Sequence, residues 1–258
     1  MARKVIYYDD ELTDDFAGTS INGRKIDENY EYIHKNPVWR AFSNLFYYIF
    51  AIPIVWIIEH IIFGIRFVGR EKLAKTDSPV FLYGNHTGWY DAFTPCLLSF
   101  PRRNYTMTSP DAVSIFGLRW VVEMLGAIPV PSTQGGARGF VRAVEHHHRS
   151  ANITIYPEAH IWPYYTGVRH FSDASFTYPA RYGCPVYAFF TAYSKPRGLA
   201  AIFGHPSITV YVSDPIYADE GLGVREARQN LCEKVYEFML QASKMSDYEV
   251  YEYKKKET

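Results

Sequence analysis

An unbroken apolar run, Val80-Phe81-Leu82-Tyr83, passes through Gly84 directly into Asn85-His86-Thr87-Gly88-Trp89-Tyr90-Asp91. Such a run reads as a strand buried within a sheet, delivering its last polar side chains to the sheet's mouth, where ligands commonly bind. The pattern continues downstream, with predicted helices at 111–125, 139–150, 171–182 and 224–242 and predicted strands at 127–130, 153–156, 186–191 and 208–212. Strands alternating with helices predict an α/β fold, a central, mostly parallel sheet flanked by helices. In the last helix, Ala227, Leu231, Val235, Phe238 and Leu240 fall largely on one face. The chain carries no internal repeat and no glycine-rich nucleotide loop.

The histidine and aspartate of this segment suit proton transfer. Imidazole titrates near neutrality and can take a proton from an alcohol, while a carboxylate on its other nitrogen fixes the tautomer and stabilises the imidazolium. His86 and Asp91 have these roles if the chain turns between them, because five residues of continuous helix would rotate the side chains apart. Gly88 makes such a turn easy. Without supporting context, the same residues fit a histidine bonded to backbone and an aspartate capping a helix.

Three later segments supply context: Gly126-Ala127-Ile128-Pro129-Val130, Ile155-Tyr156-Pro157-Glu158 and Gly183-Cys184-Pro185-Val186. Together with Asn85-His86 through Asp91 they resemble the four-block pattern of the glycerolipid acyltransferase superfamily, typified by the 1-acylglycerol-3-phosphate acyltransferases. The resemblance spans residues 66–215. It implies that His86 is the general base, Asp91 its orienting partner and Glu158 an acidic residue near the acceptor, with Asn85 alongside them. It also implies direct attack of an acceptor hydroxyl on an acyl thioester, with acyl-CoA or acyl carrier protein as co-substrate, no resident cofactor, and a place in phospholipid biosynthesis.

The departures bear on the acceptor. Where the superfamily has Glu-Gly-Thr-Arg this chain has Glu158-Ala159-His160-Ile161; the second block ends in Pro131-Ser132-Thr133, and a later basic stretch is Phe171-Ser172-Asp173-Ala174. Positions suited to a phosphate monoester are therefore uncharged or acidic, and a neutral side chain cannot replace a bidentate arginine–phosphate pair. Arg119, Arg138, Arg142 and Arg169 lie near the matching blocks; Arg138 and Arg169 are the candidates for displaced phosphate contacts. His160 and Trp162 are candidates for an uncharged headgroup, or Trp162 for an acyl chain.

Lys plus Arg and Asp plus Glu both total 27, so no charge excess favours nucleic acid. Cys96, Cys184 and Cys232 lie far apart, a spacing that fits reduced thiols in a cytosolic compartment. His146-His147-His148 cannot converge on one tetrahedral ion, since consecutive helical side chains diverge, so no metal site is expected.

The sequence divides into a polar arm at 1–37, an apolar segment at 38–65 and an acyltransferase-like domain at 66–258. The acidic arm, with Asp9-Asp10-Glu11 and Asp14-Asp15, is expected to be solvated, and the Lys254-Lys255-Lys256 tail disordered. Between Ala41 and Ile58 the chain is apolar nearly all round, interrupted by Asn44 and Pro53. Pro53 predicts a break between two short helices that enter one leaflet, making the protein monotopic and facing the cytoplasm. Two other readings differ in class. One is an inactive lipid-binding scaffold with this fold; the other is a metal-dependent hydrolase using His86 and Asp91 as ligands, which lacks further ligands at usable spacing.

Overall fold

The computed structural model describes residues 4–17, 23–114 and 117–256. Parts of the predicted arm (1–3 and 18–22) and of the predicted 111–125 helix (115–116) lie outside the described residues. In chain order the main elements are β1 (Lys4–Tyr8), α1 (Pro37–Ile62), β2 (Arg66–Val68), α2 (Arg70–Ala74), β3 (Phe81–Gly84), α3 (Thr94–Ser99), β4 (Asn104–Thr108), α4 (Arg119–Met124) and β5 (Ala127–Pro129). They continue with α5 (Gln134–His148), β6 (Asn152–Ile155), α6 (Thr177–Tyr182), β7 (Val186–Ser194), α7 (Leu199–Phe203), β8 (Ser207–Val212), α8 (Val224–Ser243) and β9 (Tyr251–Lys255).

Among the described residues, seven strands form one sheet in the order β2-β8-β7-β3-β6-β4-β5, and every neighbouring pair is parallel except β7 with β8. The expected α/β architecture is therefore present. Because β3 lies between β6 and β7 and is covered on both faces, all four of its residues are buried, as an unbroken apolar run requires. One face packs Phe81, Tyr83, Ile153, Ile155 and Phe190 against α5 and α8; the other packs Leu82, Phe189, Tyr187 and Val210 with Tyr90 and Tyr156.

The end of β3 is held by close packing. A Cβ on Gly84 would lie 2.2 Å from the Phe189 ring on the adjacent strand. Gly84→Ala should destabilise the fold by roughly 1–3 kcal/mol, the usual range for overpacking a dense core. A denaturant midpoint unchanged from the parent would contradict this.

The final helix follows the expected stripe with one correction. Leu231, Val235, Met239 and Ala242 are buried, whereas Leu240 is exposed, because four-residue steps from Leu231 reach 239 and not 240. The predicted 111–125 helix is instead a short turn at Pro110–Val113 and a separate α4, with Gly117 at φ +77° between them.

Two expectations for the termini are overturned. The arm is not simply solvated, nor is the lysine-ended tail disordered: β1 and β9 pair in parallel, from Lys4 opposite Tyr251 to Tyr8 opposite Lys255. The arm also inserts Ile26, fully buried, whose backbone bonds Ser132. The segment at 38–65 is not a two-helix hairpin. Residues Pro37–Ile62 form one helix, capped by the Asn36 side chain and widened by π-type turns over Phe46–Ala51 and Ile57–Ile62. The Ile52 N–H bonds Tyr47 O, five residues back, just before Pro53. This wider turn relieves the clash and missing donor that a proline brings to a regular helix, so the chain continues without a break.

α1 lies along the domain. Ser43, Tyr47, Ala51, Val55 and Glu59 form a buried stripe at four-residue steps, while Val38, Phe42, Leu45, Ile49, Ile54, Ile57 and Ile61 are exposed. The stripe ends at a buried charge-bearing group, Glu59, whose Oε1 accepts from Thr94 Oγ1 at 2.8 Å. Burial pushes the Glu59 carboxyl up to about 8, opposed by that hydrogen bond and reinforced by nearby Asp91.

Candidate active site

His86 stands two residues beyond β3, at the C-terminal end of the parallel strands. Gly88 is extended, and a short 3₁₀ turn at Trp89–Ala92 brings Asp91 back beneath the loop. The Asp91 Oδ2 atom accepts hydrogen bonds from Thr87 N at 2.6 Å and Gly88 N at 2.8 Å, and lies 3.2 Å from His86 Nδ1. The expected turn exists, but Gly88 is needed for a different reason than chain reversal: a Cβ there would lie 2.5 Å from the Tyr90 ring.

The arrangement sets the tautomer. A buried carboxylate accepts from Nδ1–H, leaving Nε2 as the basic nitrogen. Asp91 is 1% exposed on its side chain and His86 15%, so the imidazole reaches the surface while its partner does not. The His86 ring stacks on Tyr156 at 4.5 Å between centroids, and the Tyr156 hydroxyl donates to the Asp91 carbonyl oxygen. Beneath the loop, Tyr193 joins the hydroxyls of Thr87 (2.7 Å) and Tyr90 (2.5 Å). The backbone on both sides of the dyad is thus tied to the sheet. Tyr156 and Tyr193 were not singled out from sequence, because aromatic residues in strands are ordinarily core.

Glu158 follows β6 on the neighbouring strand. Its Oε2 accepts from His86 N at 3.1 Å and Arg169 Nη2 at 3.0 Å, and its Oε1 from Arg169 N at 3.1 Å. Burial pushes its carboxyl above the usual range, against the opposing pull of Arg169 and the two amides. The sequence expectation of a headgroup contact is corrected: Glu158 faces inward and fixes the backbone of His86.

Five other candidates also have different surroundings from those expected. Asn85 is fully buried and exchanges two hydrogen bonds with the Thr191 backbone, locking β3 to β7 and leaving no group for substrate. Arg169 is 1% exposed; its Nη2 also donates to the His160 carbonyl, and its guanidinium lies over Trp162 at 5.1 Å. Trp162 is buried among Tyr8, Phe16, Tyr165 and Tyr253, and its Nε1 donates to Asp14 O at 2.8 Å. The terminal strands therefore cover Trp162 and Arg169, which sequence spacing alone could not reveal. His160 is turned toward this cover, with Nδ1 3.4 Å from Asp15 Oδ2. Arg138 is exposed on α5 and joins none of these contacts.

The histidine triplet diverges as expected: His146 is exposed, His147 stacks on Tyr105 and His148 on Tyr182. No group of three metal-binding side chains occurs among the described residues.

The dyad adjoins the end of α1. Phe63 packs on Trp89 at 5.6 Å and on Tyr90 at 5.3 Å, and Glu59 bonds Thr94 behind Asp91. Trp89 is 57% exposed, giving the mouth an apolar rim continuous with the exposed face of the helix.

The acyltransferase family model matches residues 64–191, which include the dyad, Glu158 and Arg169. The chain is similar to the crystal structure of the 1-acyl-sn-glycerophosphate (LPA) acyltransferase PlsC from Thermotoga maritima. That similarity has a TM-score of 0.51 and 15% identity, covering 80% of this chain and 92% of the other; at this identity it concerns the fold. No curated protein matches in sequence.

Proposed function

We propose that this chain, whose residues 64–191 match the acyltransferase family model, is a glycerolipid acyltransferase that transfers a fatty acyl group from a thioester to a lysoglycerolipid hydroxyl. The observation that carries the reading is the His86 Nδ1–Asp91 pair at the mouth of the sheet, directly beside an exposed apolar helix. His86 Nε2 takes the acceptor's hydroxyl proton as its oxygen attacks the thioester carbonyl. The tetrahedral adduct expels the thiolate, which receives that proton from the imidazolium, and Asp91 supports the transient positive charge. Acyl-CoA or acyl carrier protein supplies the thioester, and no acyl-enzyme forms.

Lysophosphatidate is the default acceptor, but an uncharged or sugar-bearing lysolipid is a serious competitor. Of the displaced cations, Arg169 is spent on Glu158 and covered, while Arg138 lies apart from the dyad's contacts. A charge-assisted hydrogen bond contributes roughly 1.5–3 kcal/mol, so two or three missing ones erase a preference of several hundredfold. Measured across a lysolipid panel, kcat/KM for lysophosphatidate should therefore exceed that for neutral acceptors only weakly, and Ile161→Arg should shift preference toward it. Strict lysophosphatidate dependence, lost in Arg138→Ala, would overturn this reading.

The exposed apolar face of α1 supports a monotopic attachment to a membrane. Because its packed stripe runs from Ser43 to Glu59 along the domain, the helix lies in one leaflet instead of crossing it. Carbonate or high salt should leave the protein on membranes, since apolar burial and not surface charge holds it. Complete release into the soluble fraction would contradict this.

A further inference from the structure

The sheet's opposite end carries a cavity. Arg102 and Arg103 immediately precede β4, and Ser150-Ala151 precede β6, so this end is the reverse of the one holding His86. These residues line a cavity of about 400 Å³, whose other wall is the start of α1 with Trp39, Arg40 and Tyr48. On the same turns of that helix Val38, Phe42 and Leu45 are exposed. The cavity therefore opens beside the surface assigned above to the bilayer.

Its charge is not balanced from within. Glu123 lines the cavity but is already held by Arg119 Nε at 2.8 Å and the Tyr30 hydroxyl at 2.8 Å, with His34 Nε2 at 3.6 Å. Glu31 is the other acid of the lining. Against these stand three arginines, Arg40, Arg102 and Arg103, none of which meets a carboxylate among the described residues. Arg102 donates to the carbonyl oxygens of Thr76, Asp77 and Ser78. Arg103 donates to Asn44, Ser43 and the Met124 carbonyl and is flanked by Tyr47 and Tyr105; its Nε is buried with no acceptor. Arg40 is exposed and forms no ion pair among the described residues. Burial holds His147 down to about 4, so it enters the lining as a neutral N–H donor and adds no further positive charge.

We propose that this cavity binds the phosphate ester of an anionic phospholipid headgroup, with Arg40 and Arg103 meeting the phosphate while α1 rests in the acyl region. Guanidinium groups suit phosphate oxygens geometrically, and basic pockets beside membrane-seated helices hold such headgroups. Trp39 and the 62% exposed Trp120, whose rings pack at 5.2 Å, occupy the position of an interfacial aromatic anchor. The site is distinct from the acceptor site, since it lies at the far end of the sheet from His86. It selects the membrane on which the enzyme sits. The proposal rests on the membrane attachment of α1.

The test is co-sedimentation of the full chain with phosphatidylcholine vesicles and with the same vesicles containing one-fifth phosphatidylglycerol, at fixed ionic strength. The parent should bind the anionic vesicles roughly tenfold more tightly. Arg40→Glu, and Ser150→Trp, which places a ring at the cavity rim without changing charge, should lose most of that gain. Arg66→Glu, an exposed charge reversal on β2 outside the cavity, should keep it. Equal loss in Arg66→Glu, or a full gain retained in Ser150→Trp, would overturn the site in favour of diffuse attraction. Failure to bind either vesicle would overturn the attachment of α1 and this proposal with it. A saturable change in tryptophan fluorescence with glycerol 3-phosphate alone would assign the cavity to a water-soluble phosphate ester and overturn the lipid assignment.

Discussion

His86→Ala should lower kcat for acyl transfer on the order of a hundredfold or more, with the melting temperature and membrane binding unchanged. The ring is partly exposed and stacks on Tyr156, and among the described residues its side chain makes a polar contact with Asp91 alone, so its removal disturbs little of the core. Asp91→Asn should also impair turnover, by presenting the wrong hydrogen-bonding group to Nδ1 and removing the charge that supports the imidazolium. It carries a second cost that His86→Ala does not. Asp91 Oδ2 accepts from two backbone amides, so the asparagine variant should also loosen the 87–91 turn. A folded His86→Ala enzyme with parental turnover would remove the base from the mechanism.

The second large effect is on stability and comes from Glu59. In the unfolded chain this carboxyl releases its proton near 4.5, whereas in the fold it holds it up to about 8. Between those values the unfolded state is ionised while the folded state is not, so stability falls as pH rises through that window and levels off above it. The integrated penalty is roughly 3–5 kcal/mol. Glu59→Gln keeps an acceptor for Thr94 and removes the titration. It should therefore be close to the parent in stability at pH 4.5 and more stable by several kcal/mol at pH 8.5, measured as the difference between paired denaturant titrations. A difference that does not change with pH would mean that Glu59 is ionised in the fold.

The sequence was most informative where local chemistry decides structure. An apolar run without alternation is buried on both faces, so β3 and the placement of His86 at its end follow directly from Phe81-Leu82-Tyr83. Contacts between distant segments were not legible. Nothing in Val5-Ile6-Tyr7-Tyr8 marks Glu252-Tyr253-Lys254-Lys255 as its partner, yet their pairing covers Trp162 and turns a plausible headgroup aromatic into a buried hub. Glu158 and Arg169 carried the right chemistry but the wrong direction; their mutual ion pair points inward and leaves the mouth to His86 and Trp89. Pro53 misled because a proline breaks a regular helix, whereas here π-type turns on either side absorb it.

The central claim is direct transfer from a thioester to a lipid hydroxyl with His86 as base. The most direct measurement is a single-reaction count of free thiol and new lipid ester, using labelled acyl-CoA or acyl carrier protein with a lysolipid panel. Thiol release should require a lysolipid, match ester formation one for one, and fall together with it in His86→Ala. Thiol released without an acceptor and with no ester formed would make the protein a thioester hydrolase, and no turnover with any donor or acceptor would make it a binding protein with this fold.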